Sequence, residues 1–311
     1  MAPQQSVLAP GGVDAEAIAT LSWIMFAGGA VIFLCVVVLT ALAQFGSEKI
    51  RRRLASREFI FVGGIVFPAV TLTALLIYGL VLTGASMAVA HAGALTLEVT
   101  GEQWWWRVRY SATAEGAQVV TANEIRIPVG QDVEIKLASA DVIHSFWVPN
   151  LAGKVDMIPG VTNRIRLRAT KTGTFRGQCA EFCGGAHGLM ALYVVVLEPA
   201  QFTTWLAQQH RPADAQTAPL AARGERLFLT AGCNACHTIR GTTAAGTIGP
   251  DLTHVAGRLS IAAGTLPTDS ASFARWIRDN QHIKPNNRMP PFGILTDEEL
   301  AALGVYLESL E

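Results

Sequence analysis

No charged residue stands between Ala17 and Ser47, and none between Phe59 and Thr83. This feature limits the fold more than any other. A bilayer core about 30 Å thick is crossed by roughly 20 helical residues. Inside it each main-chain N–H and C=O must be satisfied within the segment, so a lone apolar run has to be a helix. Leu21 to Phe45 and Phe59 to Thr83 are therefore read as two transmembrane helices. Their connector carries Lys49, Arg51, Arg52, Arg53 and Arg57 between Glu48 and Glu58. A basic connector stays on the cytoplasmic side, which places the rest of the chain on the opposite side. A cleaved secretory signal is the competing reading of the first run, but no basic stretch precedes it.

Composition agrees with a membrane anchor. Charged residues make up 15% of the chain and mean hydropathy is +0.34, more apolar than an ordinary soluble domain. The formal net charge of zero gives no basic footprint for a nucleic acid.

Beyond Gly84 the pattern shortens to alternating runs at Leu95–Val99, Trp104–Tyr110, Glu124–Val129, Val133–Leu137, Arg164–Ala169 and Leu189–Leu197. Period-two runs broken by Gly, Pro and Asn predict a β-sandwich or barrel. Ala200 to Gln209 reads as a closing helix, and the Pro- and Ala-rich stretch after it as a connector. The last part reads as helical, with segments at Ala221–Ala231, Ser272–Gln281 and Thr296–Leu310, the last opened by a Thr296/Glu299 capping box. The expected organisation is an extramembrane segment (1–20), a two-helix anchor (21–90) with its basic loop at 46–58, an all-β domain (91–210), a linker (211–220) and an all-α domain (221–311).

Four of the five cysteines sit in two motifs. The first, Cys179-Ala-Glu-Phe-Cys183 followed by His187 and Met190, gathers thiol, imidazole and thioether in one short loop. Cys, His and a weak Met are the ligand set of electron-transfer copper. A disulfide between Cys179 and Cys183 is the alternative that cysteine counting leaves open. One loop cannot surround a metal, and His144, in Asp141-Val-Ile-His144-Ser-Phe-Trp, is the candidate from elsewhere. A lone histidine among aromatic residues is ordinarily a hydrogen-bonded core residue. The second motif, Cys233-Asn-Ala-Cys236-His237, has the spacing of covalent c-type haem attachment, with His237 as an iron ligand and a zinc site as the rival. Cys35 lies in the first apolar run and reads as a small apolar filler.

Asp141 to Pro149, Lys154-Val-Asp-Met-Ile-Pro159-Gly160 and Gly177 to Met190 closely resemble subunit II of the haem–copper cytochrome c oxidases, over roughly residues 15 to 210. The resemblance implies a cupredoxin-like sandwich holding a dinuclear copper centre, CuA. Cys179 and Cys183 would bridge both ions, with His144, His187, Met190 and the main-chain carbonyl of Glu181 completing the set. It also implies a magnesium site at the catalytic-subunit boundary through the Glu181 carboxylate, and an electron-relay role for Trp104 in Gln103-Trp104-Trp105-Trp106. Aromatic core filling is the ordinary explanation of such a cluster. Gly224 to Phe228, Gly249-Pro250-Asp251-Leu252 and Asn287-Arg-Met289-Pro-Pro291 resemble the small all-α class I cytochrome c domain, across residues 220 to 311. Met289 would then be the sixth iron ligand, with His254 and His282 as rivals, and the Pro250 carbonyl would hold His237 Nδ1.

The family implies that the chain feeds electrons from an external donor through haem c and CuA to a catalytic subunit I reducing oxygen to water. The complex would translocate protons across a bacterial inner membrane, with both cofactor domains on the periplasmic or outer side. None of the seven histidines falls in an apolar run, so the oxygen site would lie on the partner. Gly28-Gly29-Ala30 and Gly63-Gly64 are candidate contact surfaces for that partner. The family's proton-uptake glutamate has no clear counterpart, since Phe61 stands nearer than Glu58 to its position relative to Pro68. A CuA-containing nitric oxide reductase subunit and a membrane-anchored copper-storage protein are the alternatives.

Overall fold

The computed structural model describes residues 5–86, 94–111 and 118–311. The predicted end of the anchor at 87–90 and start of the β domain at 91–93 lie outside the described residues. By internal contacts the chain divides into a helical unit, Glu16–Ala88, and a second unit that holds both remaining domains.

The first helix, α1, spans Val13–Phe45 and so starts earlier than the apolar run alone suggests. The basic connector is not an irregular loop but a short helix, α2 (Glu48–Leu54), with Arg52 paired to Glu48 one turn earlier. A short α3 (Arg57–Phe61) leads into a π-helical turn over Val62–Val66 and then α4 (Phe67–Ser86). Pro68 accounts for the turn: it has no N–H to donate to Gly64, so the hydrogen-bond ladder must change its period just before it. Val13–Phe45 and Arg57–Gly84 are both long and apolar enough to cross a membrane.

Ten strands form the sandwich: β1 (Leu95–Glu102), β2 (Trp105–Tyr110), β3 (Val119–Ala122), β4 (Glu124–Pro128), β5 (Val133–Ser139), β6 (His144–Trp147), β7 (Val155–Met157), β8 (Asn163–Leu167), β9 (Gly173–Cys179) and β10 (Ala191–Leu197). One sheet runs β3-β2-β1-β5-β8 and the other β4-β10-β9-β6-β7, with β1·β5 and β4·β10 parallel. Alternate residues point inward, so Leu97, Trp106 and Ile135 of one sheet meet Ile125, Phe146 and Phe175 of the other in a single core. Each such side chain contributes roughly 1.5–3 kcal/mol on burial. Residues 6–13 add an edge to this domain. Gly11 N–H donates to Asn150 O at 2.7 Å, and Asn150 Nδ2 donates to Ala9 O at 2.7 Å.

After α5 (Pro199–Gln209) the connector is tied down. Arg240 donates to Gln209 O (2.6 Å), and His254 Nε2 meets Arg211 O (3.0 Å). The all-α domain comprises α6 (Pro219–Thr230), a small hairpin of β11 (Ser260–Ile261) and β12 (Leu266–Pro267), α7 (Ser270–Ile283) and α8 (Asp297–Glu308). α6 and α8 cross with Phe228 edge-on to Tyr306 at 5.9 Å. The Thr296/Glu299 capping box starts α8.

Candidate metal centre and haem cleft

β6 and β9 are neighbours in one sheet, and their register sets Phe146 opposite Cys179. This brings His144, at the start of β6, onto the loop that leaves β9. His144 Nδ1 lies 3.9 Å from Cys179 Sγ, and the two cysteine sulfurs are 3.7 Å apart. Cys183 Sγ is 3.5 Å from His187 Nδ1 and 3.8 Å from Met190 Sδ, and Cys179 Sγ is 3.2 Å from Glu181 O. Both thiols are free, so the disulfide alternative is not the arrangement found. Atoms bonded tetrahedrally to a metal at about 2.0–2.3 Å lie about 3.3–3.8 Å from one another, which is the spacing here.

His144 is fully buried, and its other nitrogen is fixed by Asp141 Oδ1 at 2.8 Å. Gly101 makes room for it, since a Cβ there would lie 2.8 Å from the imidazole Cδ2. The hydrogen bond with Cys183 pulls the Cys179 thiol down to about 3, and the same contact pushes Cys183 up. The Glu181 carboxylate points away to Lys154 Nζ at 3.5 Å, and the neighbouring Phe182 ring is exposed.

Trp104 lies in the turn between β1 and β2, 6% exposed, and its Nε1 donates to Cys183 O at 3.0 Å. Gln103 Nε2 donates to the same carbonyl at 2.8 Å. Trp106 is in the core beside His144 and Phe146, while Trp105 lies under the Arg107 guanidinium, 4.6 Å from its ring centre.

In the all-α domain Cys233, Cys236, His237, Pro250 and Met289 line one cleft. His237 Nδ1 meets the Pro250 carbonyl at 2.8 Å, as expected, and a Cβ on Gly249 would lie 2.5 Å from the ring. Burial lowers the His237 pKa and so favours the neutral imidazole, the form able to ligate a metal. The methionine loop is held by amides: Asn287 Oδ1 accepts from Met289 N, Gln281 Nε2 donates to Met289 O, and Asn280 Nδ2 donates to Pro290 O. The rival histidines are engaged elsewhere. His254 is flanked by Glu311 O and Arg211 O, and His282 faces Asp279.

Residues 112–197 match the family model for the cytochrome c oxidase subunit II periplasmic domain, and residues 221–311 match the model for cytochrome c. The chain is thus similar to a subunit II periplasmic domain over one stretch and to cytochrome c over another. Among curated relatives, cytochrome c oxidase subunit 2 of Alkalihalophilus pseudofirmus is 37% identical over 215 residues, 69% of this chain and 61% of that one. Its counterpart in Bacillus subtilis is 29% identical over 299 residues, 90% of this chain and 83% of that one. The chain thus spans less than two thirds of the first of these relatives. The solved periplasmic domain of subunit II of cytochrome oxidase from Bradyrhizobium japonicum is 32% identical, covering 40% of this chain and 96% of that one, with a TM-score of 0.36.

The sandwich gathers His144, Cys179 and Cys183 as a group that could hold a metal ion, and the all-α domain carries a cleft lined by Cys233, Cys236, His237 and Met289. Arg258 on that cleft has an enclosed Nε without a partner among the described residues, a free donor of the kind a haem carboxylate would take. The cleft also reaches the sandwich, where Trp104, Trp105 and Asn123 line it. Sequence reasoning missed Asp141 as the anchor of His144, Gln103 as a brace of the copper loop, and Lys284. Asp141 lay inside the quoted motif and could have been weighed as a histidine partner. Lys284 gave no signal, being a basic residue at a polar helix end.

Proposed function

We propose that this chain is the electron-input subunit of a haem–copper terminal oxidase anchored in a bacterial cell membrane, with both cofactor domains on the outer side. When bound, haem c and CuA supply one-electron carriage, the copper pair by sharing one electron across two bridged ions. Cys233 and Cys236 would attach the haem, with His237 and Met289 as axial ligands, a pair that raises the iron potential. Cys179, Cys183, His144, His187, Met190 and the Glu181 carbonyl would together hold the copper.

The observation that carries the reading is the place of Trp104. The residue lines the haem cleft and its Nε1 donates to the Cys183 carbonyl, so one residue borders both sites. Trp104 is therefore the relay of this proposal. The recipient would be the large membrane subunit that reduces oxygen, since both apolar runs lack histidine. Apolar side chains exposed beside the copper ligands, Ile143 and Phe182, suit docking on such a partner. The Glu181 carboxylate, half exposed beside Lys154, is proposed as a magnesium ligand at that boundary. The names of the relatives favour oxygen over nitric oxide as the acceptor. Assay of the purified complex with each gas tests this: reduced cytochrome c should support oxygen uptake, and turnover with nitric oxide alone would refute it.

A further inference from the structure

Lys284, at the C-terminal end of α7, is 3% exposed, and its Nζ ends on three main-chain carbonyls: Trp104 O at 2.5 Å, Leu189 O at 2.9 Å and Ala262 O at 3.1 Å. Two of these acceptors belong to the copper domain, one on the tryptophan beside Cys183 and one between His187 and Met190. The third belongs to the haem domain. We propose that Lys284 is a positioning residue that locks the haem domain onto the copper domain, with the haem cleft held against Trp104.

The neighbourhood supports this. Lys284 opens the short loop that ends at Met289, and that loop lies along the copper loop. A Cβ on Gly185 would come 3.2 Å from Asn286 Nδ2, and Arg288 pairs with Asp141 at 3.5 Å. One segment thus carries the haem-ligand methionine at one end and grips the copper domain at the other. On the far side of the interface Arg126 donates to Gly257 O at 2.6 Å, and Glu124 accepts from Leu259 N at 2.8 Å. The Arg126 link is exposed, whereas Lys284 is enclosed with its donors spent on the two domains. A buried polar group so placed fixes one geometry, because sliding the domains would take its Nζ away from two of its three acceptors, Trp104 O and Leu189 O. The inference rests on the haem and copper assignments above.

The test uses the full chain in detergent, loaded with both cofactors. An electron is injected at the haem by a flash-excited ruthenium complex, and its arrival at copper is followed in the near infrared. For the wild type a rate independent of solvent viscosity is expected, since the domains need not diffuse to meet. Lys284→Met should slow transfer by at least about tenfold and make it viscosity-dependent, while copper content, haem content and both absorption spectra stay unchanged. Amide exchange at residues 103–105 and 188–190 should rise in the same variant. Lys284→Gln, which keeps two donors, should lie between. A viscosity-dependent wild-type rate, or a Lys284→Met chain with wild-type rate and exchange, would overturn the proposal. A chain that binds neither metal nor haem would instead fail the cofactor assignment.

Discussion

The loop proposed to hold copper and the cleft proposed to hold haem are built in opposite ways. At the first the donor atoms already touch one another, 3.2–3.9 Å apart, on a frame of β6, β9 and the turn before β2, with Cys179, Cys183 and Met190 packed into the large core of the sandwich. At the haem site the ligands stand around a hollow. Phe228, Leu303 and Leu307 line the cleft and also belong to the core of that domain. A rigid sheet can pre-arrange a small ion's ligands, whereas a large ring in the small helical domain must be seated among that domain's own core side chains.

The difference is sharpest when the cofactors are withheld. Replacing Cys233 and Cys236 by Ala should leave the cytochrome c domain without its central filling. Loss of far-UV helical signal and rapid proteolysis beyond residue 211 are expected, while the copper near-infrared bands persist. Chelating copper from the intact chain should leave the sandwich folded, with its thermal transition lowered only by the lost ligand stabilisation, about 3–4 kcal/mol at hundred- to thousandfold excess over Kd. Equal collapse of both domains in either experiment would break the contrast.

A smaller effect is expected at Asp141. Asp141→Ala frees the Nε2 side of a fully buried imidazole, and copper affinity should fall about 10–100-fold, the usual loss when the partner behind a metal-bound histidine is removed. Competition titration with a copper chelator measures it. Unchanged affinity would show that burial and Gly101 alone hold the ring.

The smallest effect lies at the start of α8. Thr296→Ala removes the cap accepted from Glu299 N and should cost about 1 kcal/mol, read as a lower melting temperature confined to the cytochrome c transition. The Glu299 carboxyl is held below its usual range by its hydrogen bonds with Thr296. Its folded pKa is depressed, so the contribution is present above the ordinary carboxylate value and is lost as pH falls through the folded one. The difference between wild type and Thr296→Ala should therefore shrink in acid.

Much of this was legible in the sequence for identifiable reasons. The apolar runs, the alternating strands at 95–99 and 133–137 and the α8 capping box carry strong periodic or local signals. The strands at 144–147, 155–157 and 173–179 did not stand out. They are short or carry only one ordinary core side chain each, Phe146, Met157 and Phe175, and the other buried positions of the first and third hold His144, Ser145, Gly177 and Cys179, which do not read as core residues. Gly177 is there because a Cβ would meet Trp147 O at 2.7 Å. The N-terminal segment on Asn150 and the tied connector at 209–213 were hidden for another reason. Their bonds are mostly main-chain contacts to residues far along the chain, which no local pattern encodes. Lys284 is the extreme case, since its partners are three carbonyls on three separate segments.

Metal and haem analysis of the purified full chain, joined with its visible and near-infrared spectrum, tests the central claim most directly. The account predicts two coppers and one covalent haem per chain, with far-red absorption from sulfur-bridged copper that bleaches on reduction. A chain with no bound copper and with Cys179 and Cys183 oxidised to a disulfide would contradict it.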